Sequence, residues 1–485
     1  MIRLKNIFAP IAVAVSAIAF GQGSASVSHY PQMYENQSAK ATTAEPEKVL
    51  LSAKEQIDVN INRLMSDPVL RNAHWGFVIY DPKTKKVLNS YNETSSFVPA
   101  STTKLLTTET AVSILGPKFR WITQLEYSGD IDADGNLNGN IYIVGSGDPS
   151  LGTGKAGASS YAAIASDFIY ALADKGIKKV NGDIVIQTGV FKENKVASLP
   201  ENIVWMEHNN YYLPVGTTLN IDPRNEQLIA KQANPFEESK RYFYISPYVK
   251  KLVFADKFSG GSVMTKIPDA PAYLANYMRN SLIKSGIPVV GKVVTKLEDP
   301  TPEKRTTITN YKSPTLKEIV YDTNQRSDNA LAEAILRMVG FQKGGDQSLE
   351  SGRMVVTEHL RSKNFDMNGL RYMDGSGLSK SNLVTPIAQV KFLTNLMNEP
   401  YYKDFFESLP VAGQTGTLKK MFYGNSYGQI FAKTGTLSKT KALAGYIKTR
   451  TGKTLVFSLL INNYAGSVDQ VKSKMEELLD PSMDL

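Results

Sequence analysis

The hydrophobic and polar positions at the start of the chain predict a helix followed by a β-hairpin. Apolar residues recur at helical spacing from Val49 to Met65, which predicts a first helix. The segments Trp75–Tyr80 and Lys86–Tyr91 have strand-like patterns, and the Asp-Pro-Lys-Thr sequence at 81–84 favours a turn between them. A second helix is predicted to begin near Ser101.

The pattern changes twice further along the chain. Between residues 120 and 300, short strand-like runs and two helical stretches alternate with turns rich in Gly, Asn and Asp. From Pro314 to about residue 410 the pattern is helical, and the end of the chain is β-rich with a closing helix. The predicted strands are Asn140–Val144, Asp183–Gln187, Tyr242–Ile245, Gln429–Thr434, Ala442–Lys448 and Thr454–Asn462, and the predicted helices are Tyr161–Asp174, Ala272–Ser285 and Val468–Leu479.

This order of elements predicts an α+β fold with one split domain. The N-terminal hairpin would join three C-terminal strands in a five-stranded antiparallel sheet flanked by helices. The first and last helices would cover one face, and the helical block between residues 314 and 410 would cover the other. The split domain is predicted to comprise residues 45–119 plus 301–485, and residues 120–300 to form a large β-rich insertion.

The composition excludes several kinds of site. The 485 residues include no cysteine and four histidines, none of them spaced as paired metal ligands. This excludes disulfides, thiolate metal sites and cysteine nucleophiles, and it argues against a zinc site. The net charge of +9 suits an anionic partner, but acidic residues interrupt the basic ones throughout, so we expect no nucleic-acid binding.

The first residues have the layout of a secretory signal peptide. Arg3 and Lys5 precede an apolar stretch from Ile7 to Phe20, and small residues follow it. The alternative is a membrane anchor, but the stretch is shorter than the roughly 20 residues that span a bilayer. We predict a cleaved signal peptide at residues 1–21, a loose leader at 22–44, no membrane span after cleavage, and a periplasmic or otherwise extracytoplasmic location.

The first motif with catalytic potential is Ser101-Thr102-Thr103-Lys104. A serine and a lysine at this spacing share one face of a helix, where a lysine of lowered pKa can take the hydroxyl proton. A helix N-terminus also offers free N–H groups to an oxyanion. The same spacing occurs at Ser281 and Ser438, but only Ser101 is predicted to open a helix.

The second motif, Ser327-Asp328-Asn329, lies between two predicted helical runs. A second hydroxyl can relay a proton to a leaving amine, and an asparagine amide can accept from a lysine while donating to a carbonyl. Residues 90–92 and 362–364 share the Ser-x-Asn spacing, and the ordinary role of such a tripeptide is a turn or a helix cap. The motif therefore has weight only in combination.

The third motif, Lys433-Thr434-Gly435-Thr436, follows at the end of a predicted strand. The lysine and the threonine hydroxyls can bind a carboxylate, and the glycine lets backbone approach a ligand closely. Related sequences at 414–417 and 450–452 lack either the cation or the strand context. The three motifs thus occur in one order, at a helix start, an inter-helix loop and a strand end.

This combination resembles the signature of the penicillin-recognising serine acyl-enzymes, which are the penicillin-binding proteins and serine β-lactamases. The long gap between the first two motifs resembles the class C low-molecular-mass penicillin-binding proteins, which are D-alanyl-D-alanine carboxypeptidases and endopeptidases. Residues 147–149, 180–183, 374–379 and 442–446 resemble that family too. The resemblance covers nearly all the chain after about residue 45 and implies a β-lactamase/transpeptidase-like domain with an insertion.

The chemistry and the resemblance imply the same roles for the site residues. Ser101 attacks the carbonyl between two D-alanines of a peptidoglycan stem peptide, and Lys104 takes its proton. Ser327 passes a proton to the departing D-alanine, and Asn329 orients Lys104 and the substrate amide. The residues Lys433, Thr434, Gly435 and Thr436 form the substrate-binding segment, where the lysine and the two threonines hold the terminal carboxylate. β-Lactam antibiotics acylate the same serine, and neither a metal nor an organic cofactor is needed.

Two positions depart from the family pattern. Gln187 and Lys380 stand where the family often has an aspartate and an arginine that grip the side chain of the stem peptide, so the fine substrate preference stays open. The balance between carboxypeptidase and endopeptidase action also stays open.

Two alternative functions remain at this stage. One is a secreted serine β-lactamase, against which the insertion and the lack of a glutamate-based deacylation motif argue. The other is a non-catalytic wall-binding scaffold, against which the three intact motifs argue.

Overall fold

The computed structural model describes residues 51–187, 270–296, 303–345 and 348–485, together with five short strands between residues 203 and 254. The predicted signal peptide and leader lie outside the described residues. The helices are α1 Ala53–Ser66, α2 Lys104–Leu115, α3 Tyr161–Asp174, α4 Ala270–Lys284, α5 Leu316–Arg326, α6 Asn329–Gly344, α7 Leu349–Ser362, α8 Pro386–Leu396, α9 Tyr402–Glu407 and α10 Val468–Leu479.

The strands fall into five sheets. In chain order they are β1 His74–Asp81, β2 Lys86–Tyr91, β3 Ile122–Ser128, β4 Asp130–Ile131, β5 Asn136–Asn138, β6 Ile141–Val144, β7 Lys179–Val180, β8 Ile184–Gln187, β9 Ile203–Met206, β10 Tyr211–Pro214, β11 Gln227–Lys231, β12 Tyr242–Ile245, β13 Leu252–Phe254, β14 Val293–Lys296, β15 Arg305–Lys312, β16 Ile430–Leu437, β17 Thr440–Lys448 and β18 Thr454–Asn462. Two five-stranded sheets dominate, and three smaller ones contain β4-β5-β7, β9-β10 and β11-β12-β13.

The first five-stranded sheet joins the two ends of the described chain. Its strand order is β16-β17-β18-β1-β2, and every neighbouring pair is antiparallel. The β1–β2 hairpin closes where the backbone N–H groups of Lys83 and Thr84 donate to the Asp81 carboxylate, at 2.8 and 3.3 Å. This is the five-stranded antiparallel sheet that the sequence predicts.

Helices cover both faces of this sheet. Because successive strand residues point to opposite faces, Phe77 and Ile79 pack with α1 and α10, while Val78 packs with α2, α5, α6, α7 and α8. Strands β17 and β18 are buried almost throughout, so they lack the apolar–polar alternation of a half-exposed sheet. The predicted division of the helices between the two faces is confirmed.

Four strands of the second five-stranded sheet lie within the predicted insertion. Its order is β14-β8-β6-β3-β15, with β6, β8 and β14 parallel and β3 antiparallel to both of its neighbours. Helices α3 and α4 pack on it through a separate apolar core. Strand β15 lies beyond residue 300, where the sequence ends the insertion, and it pairs with β3. The division at residues 119/120 and 300/301 stays a prediction.

Candidate active site

The first motif lies in a tight turn that leads into α2. Ala100–Thr103 form a 3-10 turn, and α2 begins at Lys104, so Ser101 lies just before the α-helix. Ala100 is fully buried and has a φ of 47°, a left-handed conformation that is costly for a residue with a side chain. The Lys104 ammonium donates to Ser101 Oγ at 3.0 Å.

The second motif forms the junction between α5 and α6. Ser327 ends α5 in a left-handed conformation with a φ of 57°. The Asp328 side chain caps α6 by accepting from Leu331 N at 3.0 Å, and Asn329 is the first residue of that helix. Asn329 Oδ1 accepts from Lys104 Nζ at 2.6 Å, so the junction contacts the first motif directly.

The third motif lies within β16 rather than at its end. The predicted strand ends at Thr434, but pairing with β17 continues to Leu437. Lys433 Nζ donates to Ser327 Oγ at 2.9 Å. Gly435 allows β16 to approach the Ser101 turn, because a Cβ there would come within 2.6 Å of the Pro99 carbonyl oxygen.

The two threonines of the third motif contact other polar groups. Thr434 Oγ1 donates to Thr417 Oγ1 at 2.7 Å, and the exposed Thr436 accepts from Lys441 Nζ at 2.6 Å. The structure therefore brings all the predicted site residues together. Thr417 and Lys441 join them as polar neighbours, although the sequence analysis places both residues only in the look-alike segments at 414–417 and 438–441.

Burial controls the charge of the two site lysines. Lys104 and Lys433 are both fully buried. Burial lowers the pKa of Lys104 to about 8, although the nearby carboxylates of Glu333, Asp374 and Asp328 act in the opposite direction. Burial also lowers the pKa of Lys433, and the positive charges of Lys104 and Lys441 add to this. With a pKa of about 8, part of the Lys104 population is neutral near neutral pH, and this form can act as a base toward Ser101.

The buried carboxylate of Glu333 binds the backbone segment that contacts Lys104. The carbonyl oxygen of Ser376 accepts from Lys104 Nζ at 2.6 Å. The Glu333 carboxylate accepts from the backbone N–H groups of Gly375 and Ser376 at 3.2 and 2.8 Å. Burial and the neighbouring Asp374 raise the pKa of Glu333. Glu333 lies one helical turn after Asn329, a spacing that places both side chains on one face of α6.

The described residues show neither a metal-binding cluster nor a spanning helix. No three His, Asp or Glu side chains group as metal ligands in the part of the chain that the structure describes. Within the same residues, no helix combines the length and the apolar character needed to cross a bilayer.

The two departures from the family pattern lie on different elements. Gln187 ends β8, and its Oε1 accepts from Arg305 at 2.8 Å. Lys380 is exposed in the turn that follows Ser379. Their influence on the side chain of a stem peptide stays a prediction.

The fold and this geometry define a class, the serine hydrolases that have a buried lysine beside the candidate nucleophile. The chain belongs to the D-Ala-D-Ala carboxypeptidase 3 (S13) family, whose profile matches residues 57–250 and 251–481. This confirms the predicted enzyme class, a serine-type D-Ala-D-Ala carboxypeptidase, and it favours neither a β-lactamase nor a scaffold.

Named relatives and a solved structure agree with this membership. The chain is 24% identical to the D-alanyl-D-alanine carboxypeptidase DacB of Haemophilus influenzae, over 87% of this chain and 92% of the relative. It is 26% identical to a D-alanyl-D-alanine carboxypeptidase of an Actinomadura species, over 84% of this chain and 81% of the relative. Penicillin binding protein 4 of Haemophilus influenzae, solved in complex with a β-lactam, superposes with a TM-score of 0.64 at 25% identity, covering 86% of this chain and 98% of that one. This likeness confirms the predicted fold class.

Proposed function

We propose that this enzyme hydrolyses the D-Ala-D-Ala bond of peptidoglycan stem peptides through an acyl-enzyme on Ser101. The observation that carries the proposal is the fully buried Lys104, whose Nζ lies 3.0 Å from Ser101 Oγ. Asn329 and the Ser376 carbonyl hold the same ammonium at 2.6 Å each. A base with a pKa of about 8 beside the hydroxyl is suited to deprotonate it as the carbonyl is attacked.

The first step forms the acyl-enzyme. Ser101 Oγ attacks the carbonyl carbon between the two D-alanines, and Lys104 takes the hydroxyl proton. The backbone N–H groups of Ser101 and Thr436 stabilise the oxyanion. The close approach of β16 at Gly435 supports this pairing of donors, since it draws the strand against the Pro99–Ala100 turn.

Collapse of the tetrahedral intermediate breaks the C–N bond. Lys104 gives up the proton it took from Ser101, and Ser327 passes this proton to the departing D-alanine amine, so Lys104 is neutral again. The hydrogen bond from Lys433 Nζ orients the Ser327 hydroxyl for this transfer. Asn329 orients Lys104 and the substrate amide. Water then hydrolyses the ester on Ser101, with Lys104 again as the base.

The terminal carboxylate is bound by Lys433, Thr434 and Thr436. Because burial and two neighbouring cations disfavour the charge on Lys433, an incoming carboxylate would favour its protonated form. Lys441 adds a second cation through Thr436. β-Lactams would use the same groups and remain attached to Ser101. The enzyme would act on the wall outside the cytoplasm, as carboxypeptidase, endopeptidase or both, since both reactions cut after a D-alanine.

A labelling experiment tests the assignment of the nucleophile. We expect penicillin to form a covalent adduct on the peptide that contains Ser101 and purified pentapeptide muropeptides to lose one D-alanine, both detected by mass spectrometry. Ser101→Ala should abolish both signals, whereas Ser281→Ala and Ser438→Ala, which share the serine–lysine spacing, should keep both. An adduct on Ser281 or Ser438, or no adduct, would reject the assignment.

Glu333→Gln should move the acid limb of the acylation rate to lower pH. The carboxylate raises the pKa of Lys104, so its removal lowers that pKa and leaves more neutral base below about pH 8. Glutamine keeps an acceptor for only one of the N–H groups of Gly375 and Ser376, which donate to different oxygens of Glu333, so the thermal midpoint is measured alongside. Penicillin acylation rates across the pH range would measure the shift, with the exposed acid Glu350→Gln as control. If the acid limb of the pH profile does not move, the charge on Glu333 does not affect the pKa of Lys104.

A further inference from the structure

We propose that Lys155, in the inserted region, is a positioning residue for the catalytic junction at Ser327–Asn329. The residue lies in a loop at 147–157, which we call the strap. The strap follows strand β6 of the second sheet and precedes α3. The inference rests on the proposed roles of Ser327 and Asn329.

The strap is held by its own hydrogen bonds. The Asp148 carboxylate accepts from Ser150 N at 2.8 Å and from Ser150 Oγ at 2.6 Å. Thr153 Oγ1 donates to the Ser150 carbonyl at 2.6 Å. Two residues beyond the strap, the backbone N–H of Ser159 donates to the Tyr311 hydroxyl at 3.2 Å, which ties the following segment to β15. These bonds restrict the positions from which Lys155 can reach its partners.

Two adjacent strap residues contact two acids, one on α5 and one next to Ser327. The Lys155 ammonium forms a hydrogen-bonded ion pair with Asp328. The Ala156 N–H donates to the buried Asp322 carboxylate at 3.1 Å. Ala156 has a φ of 52°, an unfavourable conformation for a non-glycine residue, and these neighbouring contacts help to hold it. Asp322 also pairs with Arg326 at 2.8 Å.

The two oxygens of Asp328 have different partners, and this links the strap to the catalytic groups. Oδ1 caps α6 through Leu331 N, while Oδ2 accepts from Lys155. The carboxylate is therefore oriented from both sides at the start of the helix that presents Asn329 to Lys104. Its neighbour Ser327 is held in a left-handed conformation. Without Lys155, only the N–H of Leu331 orients the Asp328 carboxylate, and the junction at Ser327–Asn329 can rotate.

The test compares the variants Lys155→Met and Lys155→Arg in the full chain. The control variant is Lys284→Met, which replaces an exposed lysine on α4. For Lys155→Met we expect the rate constant of acylation at saturating penicillin to fall about 10- to 100-fold, the loss typical of a small displacement of catalytic groups. Non-covalent affinity and the thermal midpoint should change little. Arginine should restore most of the rate, and Lys284→Met should behave as wild type.

A double-mutant cycle tests whether Lys155 acts through Asp328. Lys155→Met should add almost no further loss in an Asp328→Asn background. The inference is overturned if Lys155→Met acylates at the wild-type rate, if arginine fails to restore the rate, or if the two losses are additive. Failure of the proposed function is recognised separately, because the wild-type enzyme would then not be acylated at Ser101.

Discussion

Lys104→Met should reduce acylation of Ser101 by about 10²–10⁴-fold, the usual contribution of a general base. Lys104 Nζ is the only group within 3.0 Å of Ser101 Oγ among the hydrogen bonds of the described residues. Methionine fills similar space but cannot accept a proton. Because Lys104 is fully buried and burial already disfavours its charge, an apolar replacement should leave the fold intact.

The measurement is the rate of covalent labelling by a fluorescent penicillin, with thermal unfolding as the check on folding. Lys391→Met, an exposed lysine on α8, is the matched control and should retain the wild-type rate. A folded Lys104→Met enzyme that acylates within about tenfold of wild type would place the base on another group.

The first sheet was predictable because its strands carry strong local signals. Lys86–Tyr91 and Thr454–Asn462 have their predicted bounds, since residues that favour turns flank both segments. The end of β16 was not predictable in the same way. Gly435 reads as the end of a strand, yet the cross-strand pairing of Leu437 with Thr440 continues the ladder past it.

The second sheet was harder to predict because β15 is polar. Its sequence, Arg-Thr-Thr-Ile-Thr-Asn-Tyr-Lys, has no apolar run, and none of its residues is buried. An edge strand of this kind is specified by pairing with β3, a contact between segments far apart in the chain. The sequence therefore ends the insertion near residue 300, before this strand.

The sequence predicts the residues of the candidate site that belong to the three motifs, but not the others. The three motifs name the groups that meet around Ser101, but they do not reveal backbone contacts such as the Ser376 carbonyl on Lys104. The sequence offers one weak indication of Glu333, which is its spacing of one helical turn from Asn329. It offers none of Lys155, because 173 residues separate Lys155 from Asp328 and only the tertiary fold joins them.

Lys433→Ala should slow acylation more for substrates that have a free terminal carboxylate than for substrates that lack one. Lys433 contacts Ser327 and lies near enough to Lys104 for their charges to interact, so some loss is expected with every substrate. Substrates with a free carboxylate should lose more, because they also lose the hydrogen bond between Lys433 and that carboxylate. A hydrogen bond to a charged group contributes more than one between neutral groups. Removing it should slow acylation by carboxylate-bearing substrates about 10- to 100-fold more than acylation by matched compounds without the carboxylate.

Acylation rates for a thioester that ends in a free carboxylate and for its amide-capped counterpart would be compared in wild type, Lys433→Ala and Lys448→Met. Lys448 is an exposed lysine at the end of β17, so its replacement should leave both rates and their ratio unchanged. For Lys433→Ala the ratio should fall, because only one of the two compounds loses an ionic partner. Equal proportional losses would mean that Lys433 acts only through Ser327 and Lys104, and carboxylate binding would then have to be reassigned to Thr434, Thr436 and the neighbouring Lys441.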